Sequence, residues 1–404
     1  MKYVVIVPDG MADLPVEAFG GKTPLESAIT TNMDYLARHG MIGLVRTIPE
    51  GMPPGSDIGN MALMGYDPRS CHTGRAPLEA ASLGLTLQED EIAVRCNFVT
   101  VTDDQMADYS AGHISTREAD LLIQALNEEL AEEGVRFYTG KSYRHILLLK
   151  GILPEKYLAI KTVAPHDIMG QALKSFLPSG AEAAVFLRLM ERSRAILDGH
   201  SVNQVRVDLG ENPANMIWLW GQGTRPRLPL FADKYRRKGA LISAVDLVRG
   251  LGRLAGFTVI DVPGVTGYYD TNYSGKAAYA LEALKTHDFV FIHIEAPDEA
   301  GHNGDFKAKR EAIERVDKEI VGAVLNAFEG RQDLRILVLP DHPTPVKLRT
   351  HTADPVGFVM CGPGIDPNHG EAMTEQEARG KGLLFESGEE LLSFFLENPE
   401  ETAL

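Results

Sequence analysis

The sequence predicts an α/β fold: a mainly parallel sheet flanked by helices, carrying a smaller inserted α/β domain. Three observations predict it. Short apolar runs rich in Val, Ile and Phe occur at the start and again after about residue 235. Helical patterns alternate with them. Between these stretches the alternation is lost, and residues 76–228 read as a second domain inserted into the first.

The strand-like runs occupy residues 3–7, 257–262, 289–294, 336–339 and 356–361. Each is short, apolar and bounded by Pro, Gly or Asp, as buried parallel strands are. Thr23-Pro24-Leu25-Glu26 is a capping box with Pro at the first helical position, and predicts one helix closed by Gly40. Residues 274–285 are rich in Ala and Leu and predict a second helix. Residues 305–328 place Ile313, Val316, Ile320 and Val324 on one stripe, with Gly330 as the stop. In the middle stretch, residues 117–133 predict a polar helix and residues 145–149 a strand. The Gly/Pro-rich join at 221–229 and a second crossing near 70–76 predict hinges. The expected domains are residues 1–75 with 229–404, and residues 76–228.

With 404 residues, 44% of them hydrophobic, the chain is long and apolar enough for two cores. It has no apolar run long enough to span a membrane. Its first residues, MKYVVIVPDGMADLP, read as a strand rather than a signal peptide, so a cytoplasmic location is expected. Cys71, Cys96 and Cys361 are scattered without a CxxC pair, which argues against a disulfide framework or a structural zinc site. A net charge of −16 argues against nucleic acid or an anionic membrane as partner. The expected ligand is a small molecule, and a homo-oligomer is left open.

In open α/β sheets, ligands bind beyond the carboxyl ends of the strands. Here those ends carry acids and histidines. The first run leads into Asp9-Gly10, the fourth into Asp341-His342, and His351 follows shortly after. The run at 289–294 leads into Glu295, Asp298 and His302. Singly, each could be a capping or solvated residue. Together on one sheet edge they would repel unless a cation neutralised them, and Asp and His suit Mn²⁺ or Zn²⁺. Pro53-Pro54-Gly55 forces a turn, so Ser56 begins a helix, where backbone N–H groups favour phosphate.

With these residues assembled, the chain resembles the archaeal-type 2,3-bisphosphoglycerate-independent phosphoglycerate mutases of the alkaline-phosphatase superfamily. The motifs that carry the resemblance run in order along the whole chain. They are VPDGMAD (7–13), GSDIGNMALMGYDP (55–68), GRAPLEAASLGL (74–85), DYSAGHIS (108–115), PHDIMG (165–170), VPGVTGYYDTNYSGKA (262–277), HIEAPDEAGH (293–302) and LPDHPTPV (339–346).

The resemblance implies an alkaline-phosphatase-like core and two divalent ions, Mn²⁺ or else Mg²⁺, Co²⁺ or Zn²⁺, with no 2,3-bisphosphoglycerate. It implies Asp9, Ser56, Asp341 and His342 at one ion, with Ser56 also the phosphoryl acceptor. Asp298, His302 and His351 would hold the second. The middle segment would hold the sugar-acid part of the substrate and close over it. Arg225 and Arg227 resemble an Arg pair that grips phosphate. His166 and Asp167 are candidate substrate contacts, and Asp108, Arg75, Arg95, His113 and Lys276 are further ones. His293 is expected in the core or behind the ligands, and Asp57 as a neighbour of the nucleophile.

The implied activity is the interconversion of 2- and 3-phosphoglycerate through a phosphoserine. Where such mutases often read DHSTP, this chain reads DHPTP at 341–345. Relatives with such variations form a branch proposed to phosphorylate homoserine, which is the second reading. No Walker A loop is present, because Gly275-Lys276 lacks both the earlier Gly and a following Ser or Thr.

Overall fold

The computed structural model describes residues 1–130, 134–151, 153–330 and 332–397. It divides into two compact units, Met1–His72 with Arg227–Leu404, and Thr73–Pro226. Among the described residues no helix is long and apolar enough to cross a membrane.

The first unit is built on an eight-stranded sheet. In spatial order its strands are Leu384–Phe385, Met41–Val45, Val356–Cys361, Leu334–Val338, Lys2–Pro8, Phe289–Ile294, Gly239–Ile242 and Thr258–Val259. From Leu334–Val338 to Thr258–Val259 every pairing is parallel. The carboxyl ends of four central strands therefore emerge on one edge.

Those strands are largely apolar because helices cover both faces. On one face Val4, Ile6, Val290 and Ile292 share a core with Ala277 and Ala280 of the Tyr273–Ala283 helix and with Ile313, Ile320 and Val324. On the other, Tyr3 meets Phe395 of the Gly388–Leu396 helix edge-on, with ring centroids 5.8 Å apart.

Four details depart from the sequence reading. The helix expected from Thr23 to Gly40 is two helices, Pro24–Ser27 and Thr31–His39. The break falls at Ala28-Ile29-Thr30, and the second helix is capped from afar. Asp317 accepts the main-chain N–H groups of Asn32 at 3.2 Å and Met33 at 2.7 Å. The helix carrying Asp317 runs as expected but contains a π turn at Val316–Val321. The run at 257–262 pairs only over Thr258–Val259, beside a four-residue neighbour at the sheet edge. Val356–Cys361 is antiparallel to both neighbours rather than parallel. A parallel return needs a crossover, usually helical. Residues 339–355 contain no helix, so the chain turns straight back.

The second unit holds a five-stranded antiparallel sheet. Its long strand, Glu91–Thr102, pairs with Arg144–Lys150, Met216–Gly223 and Gln105–Asp108, and Val135–Lys141 pairs with Arg144–Lys150. The helices Thr116–Glu129 and Ala183–Asp198 pack apolar stripes into the same core through Leu122, Leu126, Phe186 and Leu189. Ser115 and Glu118 form the capping box that starts the first of them. Of the helix predicted at 117–133, residues 131–133 lie outside the described residues.

Candidate metal centre

The carboxyl edge of the parallel strands gathers most of the residues singled out above. Asp9 follows the Lys2–Pro8 strand and is fully buried. Gly10 turns the chain there with φ +63°, and a Cβ on it would lie 2.5 Å from Thr344 Oγ1 and 2.6 Å from Asp298 Oδ1. Only glycine allows that turn without displacing both. The Gly10 N–H donates to Asp341 Oδ1 at 3.2 Å.

Hydrogen bonds assign the protons on three histidines. His293 Nε2 lies 2.7 Å from Asp9 Oδ2, and its Nδ1 lies 3.2 Å from Ser243 Oγ. An ionised Asp9, as a metal ligand must be, only accepts, so His293 then carries its proton on Nε2 and donates it to Asp9. Thr344 donates its hydroxyl proton to Asp298 Oδ1 at 2.5 Å. It can therefore only accept from His342 Nδ1 at 3.3 Å, which leaves His342 Nε2 with a free lone pair. That lone pair faces Ser56 Oγ at 3.3 Å. His302 Nδ1 donates to the Arg349 carbonyl at 3.1 Å, so its Nε2 is likewise turned inward.

Around His342 Nε2 stand Ser56 Oγ, Asp341 Oδ2 at 3.5 Å and Asp9 Oδ1 at 3.7 Å. Around Asp298 stand His302 Nε2 at 3.2 Å and His351 Nε2 at 3.4 Å, with the two histidine nitrogens 2.9 Å apart. The His342 and His351 rings lie 4.0 Å apart, so the two groups adjoin.

These residues fit divalent cations. Ligands about 2.0–2.2 Å from one ion stand roughly 3–3.6 Å from each other, close to the 2.9–3.7 Å found. Asp9 Oδ1 is buried with no hydrogen-bond partner, so it is an acceptor with no donor. Burial, then the charges of Asp341, Glu295 and Asp298, push the Asp9 carboxyl well above its usual range. Burial, then Asp298, likewise raises Glu295 to about 8. His302 is raised to about 9, chiefly by its hydrogen bond to Asp298.

The sets implied by the resemblance, Asp9, Ser56, Asp341 and His342, and Asp298, His302 and His351, are each brought together. Distance alone also groups Asp298, His342 and His351, and Asp9, His293 and Asp341, with ligand atoms within 4.8 Å. Proton placement favours the first division. His293 Nε2 bears a hydrogen and acts on Asp9 from behind, as partners of metal ligands do.

Ser56 opens the helix Ser56–Leu63, and Asp57 pairs with His72 at 2.9 Å. Three supporting residues were missed in the sequence. Asn60 donates to Asp341 Oδ2 at 2.8 Å and to the Ser56 carbonyl at 3.0 Å. Thr344 and Lys309 are the others. Asn60 and Thr344 lie inside quoted motifs, four and two residues from Ser56 and His342, and that spacing was the available signal.

The candidate substrate residues stand differently. Lys276 is buried and donates to the His293 carbonyl at 2.6 Å, and burial pushes it down to about 7. Arg225 and Arg227 are exposed and flank the boundary between the two units. In the Thr73–Pro226 unit, His166 and Asp167 lie 3.7 Å apart on the turn Pro165–Ile168, and the His166 ring meets Trp220 and Tyr109. Arg95 stacks over Trp220 at 4.0 Å and pairs with Glu79 at 3.0 Å. Arg75 is partly buried, and His113 is exposed with its ring in a T-shaped contact with Tyr143. Asp108 accepts from Ser110, Gly112 and Asn212 and so organises the 108–112 turn.

Residues 37–203 match the family model described as 2,3-bisphosphoglycerate-independent phosphoglycerate mutase. A protein of that name from Methanothrix thermoacetophila is 51% identical over 397 residues, which are 98% of this chain and 100% of that protein. A solved protein from Pyrococcus horikoshii superposes with TM-score 0.82 at 30% identity, covering 98% of this chain and 96% of that one. The cofactor-independent phosphoglycerate mutase of Thermoplasma acidophilum gives TM-score 0.67 at 27% identity, covering 98% and 99%. Half of all residues are identical to the first of these across nearly the full length of both chains, and the chain therefore belongs to the family of 2,3-bisphosphoglycerate-independent phosphoglycerate mutases.

Proposed function

We propose that this protein interconverts 2-phosphoglycerate and 3-phosphoglycerate, with Ser56 as the transient phosphoryl carrier between two divalent-metal sites. The observation that supports this most directly is the Ser56 hydroxyl 3.3 Å from the free lone pair of His342, within a ring of buried carboxylates. A purely structural metal site has no use for a serine there.

Ser56 Oγ attacks phosphorus in line, the bond from phosphorus to the substrate's 3-oxygen breaks, and that oxygen takes up a proton. Glycerate then returns its 2-oxygen to the phosphoserine, and Ser56 leaves as it began. The chemistry that bound divalent ions supply is charge neutralisation at the phosphoryl oxygens and a lowered pKa at the attacking hydroxyl. The chain's own part is orientation. Asn60 holds the Ser56 carbonyl and Asp341, His293 holds Asp9, and Thr344 holds Asp298. Mn²⁺ is the ion proposed, and a cytoplasmic location suits this activity. Homoserine phosphorylation is not favoured, since the Methanothrix and Thermoplasma proteins compared above carry the mutase name.

Enzyme supplied with Mn²⁺ and 3-phosphoglycerate labelled in the phosphoryl group should label Ser56. It should then yield 2-phosphoglycerate without exchange with free phosphate. Ser56→Ala should keep fold and metal content yet lose orders of magnitude in kcat. Label reaching Ser56 only from ATP, with homoserine as acceptor, would overturn the mutase reading. A Ser56→Ala enzyme with most of its activity would overturn the carrier.

A further inference from the structure

We infer that the buried ion pair of Lys309 and Asp13 is a positioning device that sets the spacing of the loops bearing the metal ligands. The inference rests on the two-metal reading above.

Lys309 lies in the Phe306–Arg315 helix, and its side chain, like that of Asp13, has no solvent exposure. Its ammonium has three protons and finds three acceptors: Asp13 Oδ2 at 2.6 Å, the Ala12 carbonyl at 3.2 Å and the Thr344 carbonyl at 2.9 Å. Ala12 and Asp13 lie on the loop that begins with Asp9. Thr344 lies on the loop that begins with Asp341 and His342. One nitrogen thus ties both loops to a helix outside the site.

Asp13 strengthens the tie. Its oxygens accept the Val346 N–H at 3.1 and 3.2 Å, and its own N–H donates to Glu375 Oε1 at 3.2 Å. From Thr344 the contact passes directly to the ligands, through its hydroxyl to Asp298 and to His342. Asp298 itself belongs to the helix Ala296–Asn303. Three of the ligand-bearing segments therefore meet at Thr344, whose N–H donates to the Ala12 carbonyl and whose own carbonyl Lys309 holds.

Stability alone is a poor account of this pair. Desolvating two charges costs several kcal/mol per ion, and apolar replacements of equal volume are often as stable. What an apolar pair cannot do is hold two carbonyls and a backbone N–H at fixed positions. The geometry of metal ligands depends on such outer contacts, whose loss typically weakens metal binding by 10- to 100-fold.

The test is Mn²⁺ titration of metal-stripped full-length protein by calorimetry, alongside thermal unfolding and the kcat and KM for 3-phosphoglycerate. Lys309→Met should remain folded, bind Mn²⁺ at least about tenfold more weakly at one site or both, and lose kcat with little change in KM. Lys309→Met with a lowered melting temperature but wild-type Mn²⁺ affinity would overturn the inference, because the pair would then act on stability alone. Should Lys309→Met fail to fold, Asp13→Asn keeps the shape and both carbonyl bonds of Lys309 while removing the charge. Several-fold weaker Mn²⁺ binding supports the inference, and unchanged binding overturns it. Wild-type protein that binds no Mn²⁺ would instead overturn the two-metal reading, before either variant is compared.

Discussion

His293 and Asp9 are joined by a hydrogen bond of 2.7 Å between two fully buried side chains, and that bond spares one oxygen of Asp9 for another partner. The imidazole stays neutral, since burial pushes His293 down to about 3. It therefore steers the carboxylate without cancelling its charge. His293→Leu should leave the fold intact and weaken Mn²⁺ binding and kcat by about 10- to 100-fold. His293→Gln, which can still donate, should recover part of the loss. Titration calorimetry and steady-state kinetics check this, and equal behaviour of the two variants would remove the orienting role.

Metal removal should abolish activity, and added Mn²⁺ or Co²⁺ should restore it. Asp298→Ala or His351→Ala should each reduce the bound metal from two ions per chain to one, because both side chains belong to one ligand group. Elemental analysis of the gel-filtered protein is the measurement. Two ions retained in either variant would contradict the proposed division of ligands.

Gly59→Ala separates packing from helix propensity. Alanine in a helix is favoured over glycine by about 1 kcal/mol, so propensity alone predicts a gain. A Cβ at Gly59, however, would lie 2.5 Å from the Asp341 carbonyl oxygen and 3.0 Å from its Cβ. Overpacking of that kind costs roughly 1–3 kcal/mol, so the steric effect should win. A lower melting temperature with weaker metal binding is expected. A higher melting temperature would show that the Asp341 loop yields freely.

Glu375 should give stability a pH dependence remote from the metal ligands. Burial, opposed by hydrogen bonds from Thr23 and Asp13, raises its carboxyl to about 7. The folded protein thus holds a proton that the unfolded chain releases near 4.5. The stabilisation is fully present below about pH 4.5 and is lost as pH rises through 7, with a ceiling of roughly 3 kcal/mol. Glu375→Gln should flatten this window in denaturant titrations run from pH 5 to pH 8. An unchanged slope would mean that Glu375 ionises normally.

Much of this was legible in the sequence by itself. The α/β class followed from strand runs that are apolar on both faces, a consequence of helices covering both sides of the sheet. The gathering of acids and histidines at one site followed from their placement after such runs, because strands running in parallel must deliver their carboxyl ends to one edge; their division into two ligand groups was implied only by the family resemblance. Tertiary structure alone decided the rest. Val356–Cys361 reads like its parallel neighbours, and only the helix-free path from residue 339 to 355 turned it antiparallel. The helix after Thr23 breaks where Asp317, 285 residues away from Asn32, caps its second half. Lys309 shows no pattern in the sequence that sets it apart from an exposed helical lysine. Its role depends on three acceptors from two distant loops meeting around one nitrogen. Periodicity and local spacing report which face of an element is buried, but a polar group buried by long-range contacts is specified only when those contacts form.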